Sequence, residues 1–200
     1  QTLLFSATWP STLDQLSKKY LSHPERIAVG TTSRAANTVK QSAIQTTAPK
    51  KNETLMNELN VREGSVLIFV RTQSRTDRLA RFLDAAGMEV GRIHGGRSQG
   101  QRTTALANFK NGKIRVLCAT DIAARGIDVT EIAHVINYDL PQVPEDYIHR
   151  IGRTGRAGSS GEALSILTPE DRQQWNDISK LLKKSGSALP QMQTQMQASQ

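Results

Sequence analysis

Residues 63–87 read EGSVLIFVRTQSRTDRLARFLDAAG, and the two halves of this stretch follow different periods. Val66 to Val70 is an unbroken apolar run, the pattern of a strand covered on both faces. Gln73 to Ala86 carries Leu79, Phe82, Leu83 and Ala86 at helical spacing, and Gly87 follows as a residue suited to a left-handed cap. The same strand-helix cycle repeats outward. Val90 to His94, Arg115 to Ala119, His134 to Tyr138 and Ala163 to Leu167 read as strands. Lys51 to Asn60, Gln101 to Lys110 and Glu145 to Ile151 read as helices, and Val39 to Ala48 as an edge strand. Thr168 is an N-cap followed by Pro169, and Trp175, Ile178, Leu181 and Leu182 give the last helix its buried stripe. Such alternation predicts an α/β domain with a mostly parallel sheet and helices on both faces. In these sheets ligands gather at the carboxyl ends of the strands.

The first part of the chain reads differently. Leu3 to Phe5 has the look of the end of a strand, and Thr12 to Leu21 that of a helix stopped by His23-Pro24. Residues 30–37 are small and polar, which predicts a linker between a partial first unit (1–29) and a full domain (38–185). Residues 186–200, rich in glutamine, read as a loose polar tail. A chain opening at Gln1 is expected to be a piece of something longer.

Composition narrows the function classes. The 200 residues carry a net charge of +8 and the sequence pI is about 9.9, which favours a polyanionic partner. One cysteine, Cys118, sits in an apolar run and reads as a small core residue, so a disulfide framework or cysteine metal site is excluded and a reducing, cytoplasmic setting is expected. No stretch approaches the ~18 apolar residues of a membrane span.

The segment richest in chemistry is His149-Arg150-Ile151-Gly152-Arg153-Thr154-Gly155-Arg156-Ala157-Gly158, with three arginines at three-residue intervals among three glycines. Arginine offers phosphate a planar fork of donors, and glycine lets backbone approach a ligand closely. A solvated basic loop is the other reading of such a run. Seven arginines and no lysine lie between Arg71 and Arg102, against Asp77, Asp84 and Glu89. Arg75, Arg78 and Arg81 among them read as an ordinary wet helix side. Trp175 and Phe109 read as packing, and His94 is divided between a contact with the polyanionic partner and a structural hydrogen bond.

HRIGRTGRAG resembles motif VI of the superfamily 2 helicases, specifically the DEAD-box RNA helicases. Ser6-Ala7-Thr8 is similar to their motif III, Val66 to Thr72 to motif IV and His94-Gly95-Gly96 to their glycine doublet. Gln99 to Arg102 resembles the QxxR element, and Ala119 to Val129 (ATDIAARGIDV) motif V. All stand in the family's order across Ser6 to Gly158. The resemblance implies a second RecA-like domain, a three-layer α/β fold, preceded by the last strand and helix of the first. It implies that Arg156 is the arginine finger toward the ATP γ-phosphate, Arg153 its companion, and His149 the link to the first domain. Gly126 and Asp128 would face the nucleotide, Asp128 at the ribose. Arg71, Thr72, Gly95, Gly96, Gln99, Arg102, Thr120 and Asp121 would face the RNA backbone, and Ser6 and Thr8 would couple the domains. Groups of these types read phosphates and 2′-hydroxyls without reading sequence.

No GxxxxGK[ST] and no Asp-Glu-Ala-Asp run occurs in the chain. The phosphate cradle and the carboxylates for Mg²⁺ are therefore expected in a first RecA-like domain outside it, and this half alone is not expected to hydrolyse ATP. Two other readings stand beside this one: a DNA-directed superfamily 2 member, and a docking module for a regulatory protein.

Overall fold

The computed structural model describes residues 1–6, 11–27, 39–124, 132–155 and 160–193. Helix α1 (Ser11–Tyr20) precedes the sheet domain. The domain then runs β1 (Val39–Gln45), α2 (Lys51–Asn60), β2 (Val66–Phe69), α3 (Gln73–Ala85), β3 (Val90–Ile93), α4 (Gln99–Lys110), β4 (Val116–Ala119) and α5 (Asp121–Ala124). It continues with β5 (His134–Asn137), α6 (Pro144–Ile151), β6 (Gly161–Leu167), a 3₁₀ turn at Pro169–Asp171, α7 (Arg172–Lys184) and β7 (Gln191–Gln193). The strands form one sheet in the order β3-β4-β2-β5-β6-β1-β7, and every pairing is parallel.

The apolar run at Val66 to Val70 does what its composition requires. Leu67 and Phe69 join a core with Leu117, Ala119, Val135 and residues of α4, α6 and α7. Val66, Ile68 and Val70 point the other way, into a second core with Cys118, Ile136 and residues of α2 and α3. Alternate residues of one strand thus feed two layers, as a pleated backbone dictates. The result is the expected three-layer RecA-like α/β arrangement. Gly87 takes φ +84° after α3, and Trp175 meets buried Tyr147 edge-on at 6.3 Å. Phe109 is also buried in the first core.

Four expectations change. Val39–Gln45 is not an edge: β6 pairs along its whole length on one side and β7 for three residues on the other. The polar tail therefore contributes a strand, because main-chain hydrogen bonds to β1 need no apolar side chains, and Gln191–Gln193 is exposed throughout. Residues 194–200 and the linker 30–37 lie outside the described residues. Leu3 to Phe5 forms no strand: no described strand pairs with it, and Phe5 is 86% exposed. Helix α4 starts two residues early, at Gln99, because Ser98 and Gln101 close a reciprocal capping box.

Among the described residues no helix is long and apolar enough to cross a membrane. Cys118 is fully enclosed, and burial pushes its thiol up to about 12. Since the thiolate is the reacting form, labelling of Cys118 at pH 8 is expected to be slower in the native protein than in guanidinium by at least about a hundredfold. Peptide-resolved labelling kinetics measure this; equal rates would place Cys118 outside the core.

Candidate functional site

The parallel registers bring the strand ends level. Ile93, Ala119, Phe69 and Asn137 are successive Cα partners across β3, β4, β2 and β5, and Asn137 is matched to Ser165 of β6. The residues that follow these ends therefore form a row: His94 to Gly96, Thr120 and Asp121, Arg71 and Thr72, Tyr138 and Asp139. The candidates drawn from distant motifs are brought together here, along the carboxyl edge of the sheet where parallel sheets hold ligands.

Each part of the row is locally built. Thr72 caps α3, its Oγ1 accepting from the Arg75 N–H at 3.3 Å. The Arg71 guanidinium donates to Gln174 Oε1 at 3.1 Å and lies 3.8 Å from Asp171 Oδ1. Gly95 and Gly96 lie against Gln73, whose Oε1 would stand 2.7 Å from a Cβ at Gly96. His94 Nε2–H donates to Asp77 Oδ1 at 3.1 Å, and Nδ1 accepts from the Gly96 N–H at 3.2 Å. Both nitrogens of this buried ring are thus used within the fold, which settles the divided reading in favour of the structural bond. Arg102 Nη1 donates to Gln99 Oε1 at 3.2 Å, one turn away on α4. Thr120 is buried; its N–H donates to Ile93 O and its carbonyl accepts from Ala124.

Asp121 and the HRIGRTGRAG segment meet through Arg150. This guanidinium is 2% exposed. Nε and Nη2 donate to Asp121 Oδ1 and Oδ2 at 2.5 and 2.7 Å. Nη1 donates to Asn137 Oδ1 at 3.1 Å and to the Asp139 carbonyl at 2.6 Å, and the cation lies 4.8 Å from the centre of the Phe69 ring. Both carboxylate oxygens of Asp121 are engaged with Arg150, so this candidate for RNA contact first serves to tie α5 to α6.

Helix α6 begins as its sequence prescribes, with Pro144 in the first turn beside Glu145 and Asp146. His149 Nδ1–H donates to Asp146 Oδ1 at 3.3 Å, while its Nε2 has no hydrogen-bond partner among the described residues. Arg153 Nε donates to the His149 carbonyl at 3.3 Å. A shallow depression is lined by Phe69, Asp121, Ala124, Asp146, His149 and Arg153. After the helix, Thr154 Oγ1 donates to the carbonyls of Ile132 at 2.5 Å and Ala133 at 3.1 Å. Gly161 makes that turn feasible: a Cβ there would stand 2.2 Å from Thr154 Oγ1 and 2.4 Å from the Gly155 nitrogen. Ser6 is exposed on the segment before α1. Thr8, Gly126, Asp128 and Arg156 lie outside the described residues.

Arg75 is a correction. It is not simply a wet helix position: its Nε and Nη2 grip Asp139 Oδ2 and Oδ1 at 3.1 and 2.8 Å. Asp139 also receives Lys51 Nζ at 3.3 Å and the Arg71 N–H at 3.1 Å. The partners are separated by 64 residues or more in sequence, and only the adjacency of β2 and β5 reveals them.

A family model described as the helicase conserved C-terminal domain matches residues 50–158. The chain is 42% identical over 190 residues to DEAD-box ATP-dependent RNA helicase 21 of Oryza sativa subsp. japonica, covering 94% of this chain and 26% of that protein. It is 41% identical over 191 residues to ATP-dependent RNA helicase vasa of Drosophila melanogaster, covering 95% and 29%. The chain spans between 26% and 40% of the length of the curated relatives it matches. Among solved structures, S. cerevisiae Dbp5 bound to RNA and ADP BeF3 superposes with a TM-score of 0.84 at 31% identity, covering 95% of this chain and 50% of that one. E. coli SrmB bound to the regulator of ribonuclease activity A gives 0.69 at 30% identity, covering 79% and 91%. A level row of strand ends carrying these motifs, the domain match and the relatives agree: the chain belongs to the DEAD-box ATP-dependent RNA helicases and contains their C-terminal, RecA-like helicase domain.

Proposed function

We propose that this chain acts as the C-terminal half of an ATP-dependent RNA helicase, supplying the arginine finger and part of the RNA backbone track. The observation that carries the reading is the Arg150–Asp121 clamp, which ties α6, where the arginine-rich segment starts, to α5 beside the row of candidate phosphate-reading groups. One face of the row meets RNA: Arg71, Thr72, Gly95, Gly96, Gln99, Arg102 and Thr120 offer guanidinium, hydroxyl, amide and backbone donors to phosphates and 2′-hydroxyls. The other face meets nucleotide. Arg153 and Arg156, with Gly126 and Asp128, are the residues that would hold ATP, whose bound triphosphate supplies the phosphoryl group transferred to water.

The described donor set suits a triphosphate better than its Mg²⁺. At the depression beside Arg153, Asp121 is committed to Arg150 and Asp146 receives His149. Among the described residues no group of three His, Cys, Asp or Glu stands together to hold a metal. Mg²⁺ is assigned to a first RecA-like domain, with residues 1–29 as the end of that domain and 30–37 as the hinge. His149, Ser6 and Thr8 are assigned to the contact between the domains. Closure on ATP and RNA together would bring Arg156 to the developing charge on the γ-phosphoryl oxygens, where a positioned cation is worth most.

A DNA-directed enzyme is the competing reading; RNA is favoured because the similar Dbp5 structure is described as bound to RNA, and a dependence of binding on the 2′-hydroxyl separates the two. A regulatory protein is a second proposed partner, since the similar SrmB structure is described as bound to a regulator. Binding of such a partner is expected to survive replacement of both Arg153 and Arg156 by alanine.

Two outcomes test the main reading in the full-length protein. Arg156→Ala is expected to lower RNA-stimulated ATP turnover by ~10³-fold or more while RNA affinity stays within a few-fold; normal turnover removes the finger assignment. Arg102→Ala is expected to weaken binding to single-stranded RNA and to reduce the slope of log K against log salt by about 0.7, one phosphate contact's worth. A salt titration by fluorescence anisotropy decides it, and an unaltered slope takes Arg102 off the RNA face.

A further inference from the structure

Asp139 stands two residues beyond β5 and is 3% exposed. Its side chain and its main chain serve different parts of the site. Oδ1 accepts from Arg75 Nη2 at 2.8 Å and from Lys51 Nζ at 3.3 Å. Oδ2 accepts from Arg75 Nε and from the Arg71 backbone N–H, both at 3.1 Å. The Asp139 carbonyl oxygen, in contrast, accepts from Arg150 Nη1 at 2.6 Å. Its own N–H donates to the Phe69 carbonyl at 3.2 Å, which locks the residue to the end of β2.

We propose that Asp139 is a positioning residue that couples the turn presenting Arg71 and Thr72 to Arg150 of α6, with Arg75 as the fork that transmits its orientation. This rests on the reading that Arg71 and Thr72 meet the RNA backbone. A carboxylate so enclosed is tolerated only when its oxygens are filled by donors, and here both oxygens receive two. The Arg75 fork engages both oxygens, so it fixes direction as well as distance. Arg75 sits in the first turn of α3, and its N–H is bound by the Thr72 hydroxyl. Rotation of the carboxylate therefore moves Thr72 and the Arg71 N–H together. Lys51 is itself buried, lies 3.9 Å from Asp171 and stacks on the Tyr138 ring at 4.8 Å. It supplies a second cation that holds the carboxylate in place. On the other side, any shift of the Asp139 main chain reaches Arg150 and through it Asp121. The RNA-facing turn and the nucleotide-facing helix thus share one rigid element, and nothing else described joins the Arg71 main chain to Arg150 through a single residue.

The test uses the full-length protein with Asp139→Asn, Arg75→Ala, their combination and Arg75→Lys. Affinity for a single-stranded RNA is measured with and without adenylyl imidodiphosphate, alongside the thermal midpoint. Each single alanine or asparagine change is expected to weaken RNA binding about fivefold or more and to cut by a similar factor the tightening of RNA binding by the nucleotide analogue, a size typical of coupled sites. Analogue affinity without RNA stays within about twofold, the double variant is no worse than Asp139→Asn because one path is broken twice, and Arg75→Lys recovers part of the coupling. A lowered midpoint with an unchanged coupling factor overturns the proposal, since a merely structural residue would produce that. Losses that add in the double variant overturn it too, because Arg75 would then act on RNA by itself. Should Asp139→Asn fail to fold, Arg75→Ala decides alone: its side chain is 48% exposed, and an unchanged coupling factor rejects the assignment. If Arg71→Ala leaves RNA binding intact, the RNA reading fails and takes this proposal with it. If Arg71→Ala weakens binding while the Asp139 and Arg75 variants do not, only the positioning role fails.

Discussion

The guanidinium of Arg150 is the contact on which the site depends. A buried cation is costly unless its donors are filled, and the remaining charge must be matched by an anion held in good geometry. Here a bidentate carboxylate, a side-chain amide and a main-chain carbonyl receive it, and an aromatic face lies against it. Those partners come from three elements: α5 through Asp121, the end of β5 through Asn137 and Asp139, and β2 through Phe69. A lysine could not replace this arrangement, because one ammonium cannot span Asp121 in a fork and still reach the far carbonyl. The burden of the pair falls on specificity of placement more than on stability, since a well-packed apolar substitute often costs little. What it would lose is the fixed relation between the two arginine-bearing and carboxylate-bearing segments.

Level strand ends are the second constraint. Because β3, β4, β2 and β5 are paired without stagger at their last residues, loops that leave the sheet at very different points in sequence start from one line. A one-residue slip in any pairing would turn alternate side chains to the opposite layer. The two cores forbid it: Leu67 and Phe69 belong to one, and Val66, Ile68 and Val70 to the other. Burial of ordinary apolar side chains thereby sets the register, and the register aligns the polar groups. The site is precise because the hydrophobic layers are intolerant of sliding.

Much of this was legible from residue pattern alone. The apolar run at Val66, the helical stripes of α3 and α7, and the strand-helix alternation required a parallel sheet with two covered faces, and the motif spacing located the row of candidate groups. Contacts between segments far apart in sequence were not legible. Arg75 looks like any arginine on a solvated helix face until β5 is placed beside β2 and the buried Asp139 appears under it. Main-chain pairing was hidden for a related reason. β7 is made of Gln191, Met192 and Gln193, and a strand held by backbone hydrogen bonds to β1 leaves no apolar period to detect. His94 carried two readings because its neighbours are glycines; the answer lay in Asp77, seventeen positions earlier.

The three-residue spacing of the arginines would place them on one face of a continuous helix, yet they cannot share a task if the first is buried. The chain resolves this by ending α6 immediately. Gly152 is its C-cap, with its N–H returned to the Ile148 carbonyl, so Arg153 leaves the helical path that seats Arg150. Thr154 then turns the chain onto the carbonyls of Ile132 and Ala133, residues that follow the motif V segment, and pairs with Ile132 as an isolated parallel bridge. The arginine-rich segment is consequently pinned twice, by Arg150 from within the helix and by Thr154 just after it. Gly161 removes the one side chain that would push the second pin away. Inward burial of Arg150 and the departure of Arg153 from the helix axis are thus two effects of the same short sequence, with Gly152 at the C-cap as the point where the backbone changes direction between them.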